Sequence, residues 1–171
     1  IPVNVNELNA IGEAAGQLGI RKEDILAFTE TVAKLSATTS LTSDQAATDL
    51  ARLANVVGFT ADEFDNVASV IVALGNAGAS TEPEILAFAE RIAGAGKIAG
   101  LTIDQILAIG EAMSSVGIEA ESGGTAVQKV LLDITRALAS PFDLEEVIDE
   151  IFKSLRQVVD YDAAAIYLVQ P

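Results

Sequence analysis

The carboxylates Glu145-Glu146 and Asp149-Glu150 form one of the denser groups of potential cation ligands in the chain. Oxygen donors of this kind suit Ca2+ or Mg2+. Here they fall at helical spacing opposite an apolar stripe, without the Gly-turned loop of an EF-hand. They therefore read as the solvated face of a helix. Gly123-Gly124-Thr125, following Glu121-Ser122, has the composition of a phosphate-cradling loop. No strand pattern precedes it and no Lys-Ser/Thr follows, so the reading is a flexible loop opening a helix. The hydroxyls of Ser114, Ser115, Ser122 and Thr125 lack an activating base, because the chain contains no His. Tyr161 and Tyr167 suit packing better than nucleophilic attack. The sequence thus assigns no catalytic, cofactor-binding or metal-binding residue and no cofactor, and an enzyme is disfavoured.

What could position chemistry is instead built for packing. Half of the 171 residues are apolar, yet only 5% are aromatic and Trp is absent. A core of Ala, Leu, Ile and Val favours closely packed helices over a sandwich. With 25 acidic against 10 basic residues the net charge is −15, which repels phosphate backbones and anionic headgroups. Nucleic acid is therefore not an expected partner, and a membrane is a weak one. The surplus of acids keeps an Ala-rich chain soluble. Cys is also absent, which removes disulfides and thiolate sites. The chain opens IPVNVNEL, with no signal-peptide pattern and no initiating Met, as a fragment or processed chain would. The run Asn66 to Thr81 carries no charge, but Gly75, Asn76 and Gly78 interrupt it, and it is too short to span a bilayer.

An internal repeat organises the first three quarters. Ile25, Leu26, Ala27, Phe28 and Glu30 recur as Ile85, Leu86, Ala87, Phe88 and Glu90, an offset of 60 (85 − 25). Leu41, Thr42, Asp44 and Gln45 recur at the same offset as Leu101, Thr102, Asp104 and Gln105. AIGEAAGQLGI at Ala10 returns as AIGEAMSSVGI at Ala108, an offset of 98 (108 − 10), and ARLANVVGF at Ala51 is a looser third copy. Such repetition predicts a supersecondary unit stacked on copies of itself.

The punctuation is explicit. Thr42-x-x-Gln45, Thr60-x-x-Glu63, Thr81-x-x-Glu84 and Thr102-x-x-Gln105 have capping-box spacing, and Pro83 suits a first turn. Gly19-Ile20, Gly58-Phe59 and Gly117-Ile118 have the form of Schellman stops. Apolar residues recur every three or four positions between these marks, which predicts helices near 8–11, 24–37, 43–57, 61–75, 82–94, 103–116 and 124–139. Short connections predict antiparallel neighbours. The small run from Ala93 to Gly96 is expected both to end a helix and to admit close contact. The fold class is mainly α, an array of short helices with internal pseudo-repeats.

After Thr135 the character changes. Asp143-x-x-Glu146 is a further capping box, and Leu144, Val147, Ile148, Ile151, Phe152, Leu155 and Val159 form a strong amphipathic stripe. Ala163 to Val169 is balanced between strand and helix: three alanines favour helix, while Ile-Tyr-Leu-Val favours strand. A lone strand needs a partner, so self-association as a dimer or larger is expected through this strand or through the helix 144–159.

Two resemblances follow from particular runs. IAGAGKIAGLT and SSVGIEAESGGTA, within Ala73 to Leu131, resemble the core region of phage tail tape-measure proteins, over about 6–133. That resemblance implies a helical structural module inside a tail tube, phage tail proteins as partners, and a virion assembled in the bacterial cytoplasm. The run ASPFDLEEVIDEIFKSLRQVVDYDAAAIYLV, over about 137–171, resembles instead the first helix and strand of a GAF domain. It implies domains at 1–134 and 135–171, a chimeric chain, and as the alternative role a signalling or ligand-sensing fragment. The strands and pocket of such a domain are missing, so no ligand is carried over.

Overall fold

The computed structural model describes residues 4–139 and 144–156. Among them are eight α-helices and no strand. They are α1 (Val5–Gln17), α2 (Ile25–Thr38), α3 (Ser43–Val57), α4 (Ala61–Ala77), α5 (Glu82–Ile98), α6 (Ile103–Ser115), α7 (Ala120–Ala139) and α8 (Leu144–Leu155). The segment Ala163 to Val169 and the box at Asp143 lie outside the described residues.

All four internal capping boxes form. At Thr60 and Thr81 the N3 glutamate accepts the threonine amide at 2.8 Å in both cases, satisfying a donor that the helix leaves orphaned. The stops are more varied than their sequences suggest. Gly19, Gly58, Gly100 and Gly117 all have positive φ. At Gly19 and Gly117 the paired bonds of a Schellman motif close, Ile20 donating to Ala15 and Ile118 to Met113. Gly58 makes only the single bond to the Ala54 carbonyl, the simpler left-handed cap. Gly100-Leu101, outside the three expected stops, is a full Schellman stop, with Leu101 donating to Gly96.

Three expected boundaries are corrected. The first helix begins at Val5, not Leu8, because the Asn4 side chain caps it by accepting the Glu7 amide at 2.9 Å, and it runs on to Gln17. The small run at Ala93–Gly96 does admit close contact but ends nothing. A Cβ on Gly96 would lie 2.8 Å from the Ile106 side chain, and the helix continues to Ile98. The pair Gly123-Gly124 is not a flexible loop: both glycines are buried within α7. A Cβ on Gly124 would sit 2.8 Å from Cβ of Arg91 on α5, and one on Gly123 would overlap the Ile118 side chain of the preceding turn and lie 3.2 Å from the Phe88 ring. Close packing, against α5 and against the turn that leads into α7, rather than loop freedom, is what these glycines serve.

The packing explains the sixty-residue offset. Each of α1, α2 and α3 lies sixty residues, within a few positions, before α4, α5 and α6. In both units the first helix packs on the second and third, and the second on the third. Helix α7 then follows α6 as α4 follows α3, and α8 packs on α7 as α2 packs on α1. The units join where α3 packs on α5 and α4 on α2. The echo at offset 98 is local: α1 and α6 share a way of ending, while their packing positions differ. Helices α3 and α4 also depart from the expectation that sequence neighbours pack together. Helix α3 lies chiefly on α1, α2 and α5, and α4 on α2, α5 and α6, because the Gly58 turn redirects the chain and buries Phe59.

Candidate functional site

Titratable side chains meet at the joint between the two units. Glu90 projects from α5 toward α3, where Asp49 and Arg52 stand one turn apart. Arg52 reaches Glu90 at 3.5 Å, while Oε1 of Glu90 is buried without a protein hydrogen-bond partner. Burial first, and then the neighbouring charge of Asp49, push the Glu90 carboxyl up to about 7, with Arg52 opposing them. Asp49 is also raised, chiefly by burial. Like-charged carboxyls that share a desolvated space resolve the conflict by holding a proton. The arrangement makes the joint sensitive to pH near neutrality, and it offers no nucleophile or leaving-group partner. Sequence reasoning missed it because Asp49 and Glu90 sit on different helices. The available signal was Glu90 itself, a carboxylate between the buried Ala89 and Ile92.

A second polar cluster joins α2 to α4. Lys34 contacts Asp65 at 2.8 Å, and Thr31 donates to the same carboxylate at 2.7 Å. The Lys34 hydrogen bond, then that of Thr31, holds Asp65 below the usual carboxylate range. Beside it an open groove of about 420 Å3 is lined by Leu35, Ala68, Val72 and the polar Thr38 and Ser69.

The residues first considered for chemistry are dispersed. Ser114 donates to the Glu84 carbonyl at 3.4 Å, Ser115 to that of Ala112 at 3.1 Å and Thr125 to that of Glu121 at 2.9 Å. These hydroxyls belong to helix and interhelix bonding. Asp149 is exposed, and Glu150 pairs with Lys153 at 3.5 Å. Among the described residues no group of three or more acidic side chains is gathered as a metal site would need, and no helix is long and apolar enough to cross a membrane. Tyr161 and Tyr167 lie outside the described residues.

What the structure brings together is therefore a set of helix–helix contacts, repeated and adjusted between two units. The family of phage-related minor tail proteins matches residues 1–166. The chain belongs to that family, and its role is that of a structural component of a phage tail. Neither the curated proteins nor the solved structures give a match.

Proposed function

We propose, from that membership, that the chain is a helical module of a tail tape-measure protein, which acts by helix packing within the tail tube and contributes to setting tail length. The observation that supports it best is the recurrence of three helices in one register at an offset of sixty residues. Units that stack on their neighbours give length in proportion to their number. The acidic surface suits a protein that shares a tube with nucleic acid without holding on to it. Phage tail proteins are the partners in this reading, and assembly takes place in the bacterial cytoplasm. Protease treatment of virions tests the placement. The chain should resist digestion in intact tails and become cleavable once the tail has emptied. Equal cleavage in both states would place it on the outer surface.

The change of residue character after Thr135 supports a second reading, in which 1–134 and 135–171 are separate domains and the latter is a fused fragment resembling a GAF domain. Ending the chain at Ala139 separates the two. A separate fragment leaves the melting of the preceding helices unchanged. If α8 belongs to the array, its loss lowers their stability, because α8 packs on α7 and Ser154 hydrogen-bonds Asp133 across that contact at 3.4 Å.

A further inference from the structure

Burial at equivalent positions reports which helices cover a unit. Leu86 on α5, which packs on α3, is 1% exposed, whereas Leu26 on α2, covered by no such helix among the described residues, is 71% exposed. Three other positions are buried in both units. Phe28 and Phe88, Leu35 and Ala95, and Ile11 and Ile71 are none of them more than 3% exposed. In each unit a third helix packs on the other two, α3 on α1 and α2 and α6 on α4 and α5. Sixty residues further on, α7 and α8 carry Ile148, Leu155 and Leu131 at the same three positions, and all three are only half-buried. Helix α7 packs on α8, but no third helix of this unit is among the described residues.

The register also says where that helix would begin. Helices α3 and α6 start at Ser43 and Ile103, behind the caps Thr42 and Thr102 and the apolar Leu41 and Leu101. Sixty residues beyond these stand Tyr161, Asp162 and Ala163, and aspartate is among the strongest N-caps. Near the start of α3 and α6, Ala46, Ala47, Ile106 and Leu107 are no more than 1% exposed. Their counterparts are Ile166 and Tyr167. The exposed Asp44 and Asp104 correspond to Ala164, and Thr48 with the exposed Ala108 to Leu168. Pro171, where the first two copies have Ala51 and Glu111, limits the helix to about two turns.

We propose that the segment 162–170, beyond the described residues, opens the third helix of a third unit and seats on the face of α7 and α8 that carries Leu131, Ile148 and Leu155. Ile166 and Tyr167 turn into that face, and Ala164 and Leu168 turn away from it. The occupant of the open face is thus the chain's own continuation, which carries the array on past α8 in place of a fused fragment of another fold. The proposal rests on the repeat register and stands whether or not the array lies inside a tail tube.

The chain contains no Cys, so single cysteines report the seated face directly. Ala164→Cys, Ile166→Cys, Tyr167→Cys and Leu168→Cys, each in the otherwise unchanged chain, would be alkylated with iodoacetamide in buffer and in urea. Relative to their rates in urea, Ile166→Cys and Tyr167→Cys should each be slowed roughly ten-fold or more, because a seated side chain reacts only on local opening. Ala164→Cys and Leu168→Cys should react freely. Adding Leu131→Ser to the two protected variants should restore most of their reactivity while circular dichroism shows the helices intact; Ile148→Ser takes its place if that chain does not fold. Equal reactivity at all four positions overturns the proposal. So does slowing of Ile166→Cys and Leu168→Cys without Tyr167→Cys, which is the alternation of a strand. Protection that survives the serine substitution in a folded chain places the segment on another surface and overturns it as well.

Discussion

Phe28 and Phe64 meet edge to face, their ring centroids 5.4 Å apart. Sixty residues on, the same two positions hold Phe88 and Gly124. The first unit fills the space between its second helix and the following helix with two aromatic rings. The second removes one ring and lets α7 come down onto α5, where Gln128 donates to the Arg91 carbonyl at 3.0 Å. One architecture is thus kept while its spacing is retuned by exchanging a large side chain for none. The same exchange recurs between α2–α3, where Leu50 is buried, and α5–α6, where Gly110 stands in its place.

Glycine substitutions should therefore have opposite signs within the second unit. A Cβ on Gly110 would lie 2.8 Å from the Ile85 carbonyl oxygen, a backbone atom that cannot step aside. Gly110→Ala should destabilise the chain by about 1–3 kcal/mol, as overpacking does. Gly94, mid-helix in α5, meets nothing within 4 Å. Gly94→Ala should stabilise by about 0.5–1 kcal/mol, from the lower backbone entropy of alanine. Urea melts of the two variants check both signs.

The carboxylate joint predicts stability that increases on mild acidification. Glu90 titrates near 4.5 when unfolded but at about 7 in the folded chain. Between those values the folded state holds a proton that the unfolded state has lost, so stability falls as pH rises through this window. Asp49, also raised, acts in the same sense. Screening at a site that is a quarter exposed limits the effect to about 1–2 kcal/mol. Less repulsion among the other acids also favours low pH, so the informative quantity is a difference. Glu90→Gln should flatten the slope of stability against pH between about 4.5 and 7, and an unchanged slope would exclude the joint as its source.

The capping boxes predict a local cost. Thr102 accepts the Gln105 amide at 3.3 Å and donates its own amide to the Gln105 side chain at 3.0 Å. Thr102→Ala should cost about 1 kcal/mol. Thr102→Ser, which keeps the hydroxyl, should restore most of it. Thermal denaturation followed by circular dichroism separates the two.

These features were legible in the sequence to different depths. Helix starts at Thr42, Thr60, Thr81 and Thr102 could be placed because capping chemistry is local, its partners three residues apart. The offset of sixty was visible for the same reason, in side-chain identity along one strand of text. Gly123 and Gly124 were misread because a glycine signals a turn or a close approach equally well, and only the presence of Phe88 and Arg91 on a neighbouring helix decides which. Asp49 with Glu90 stayed hidden on similar grounds: their conflict arises from burial and proximity across two helices. Leu26 and Leu86 are identical in sequence and local setting. Their difference in exposure exists only once α3 is in place.

Counting units against tail length is the sharpest test of the proposal that stacked three-helix units carry length. Tails would be measured by electron microscopy in phages carrying the gene with the unit Ala61–Ala120 deleted, unchanged or duplicated in frame. Tails should shorten, stay the same and lengthen in that order, with equal steps for equal changes. Tails of one length in all three, from particles that assemble normally, would contradict it.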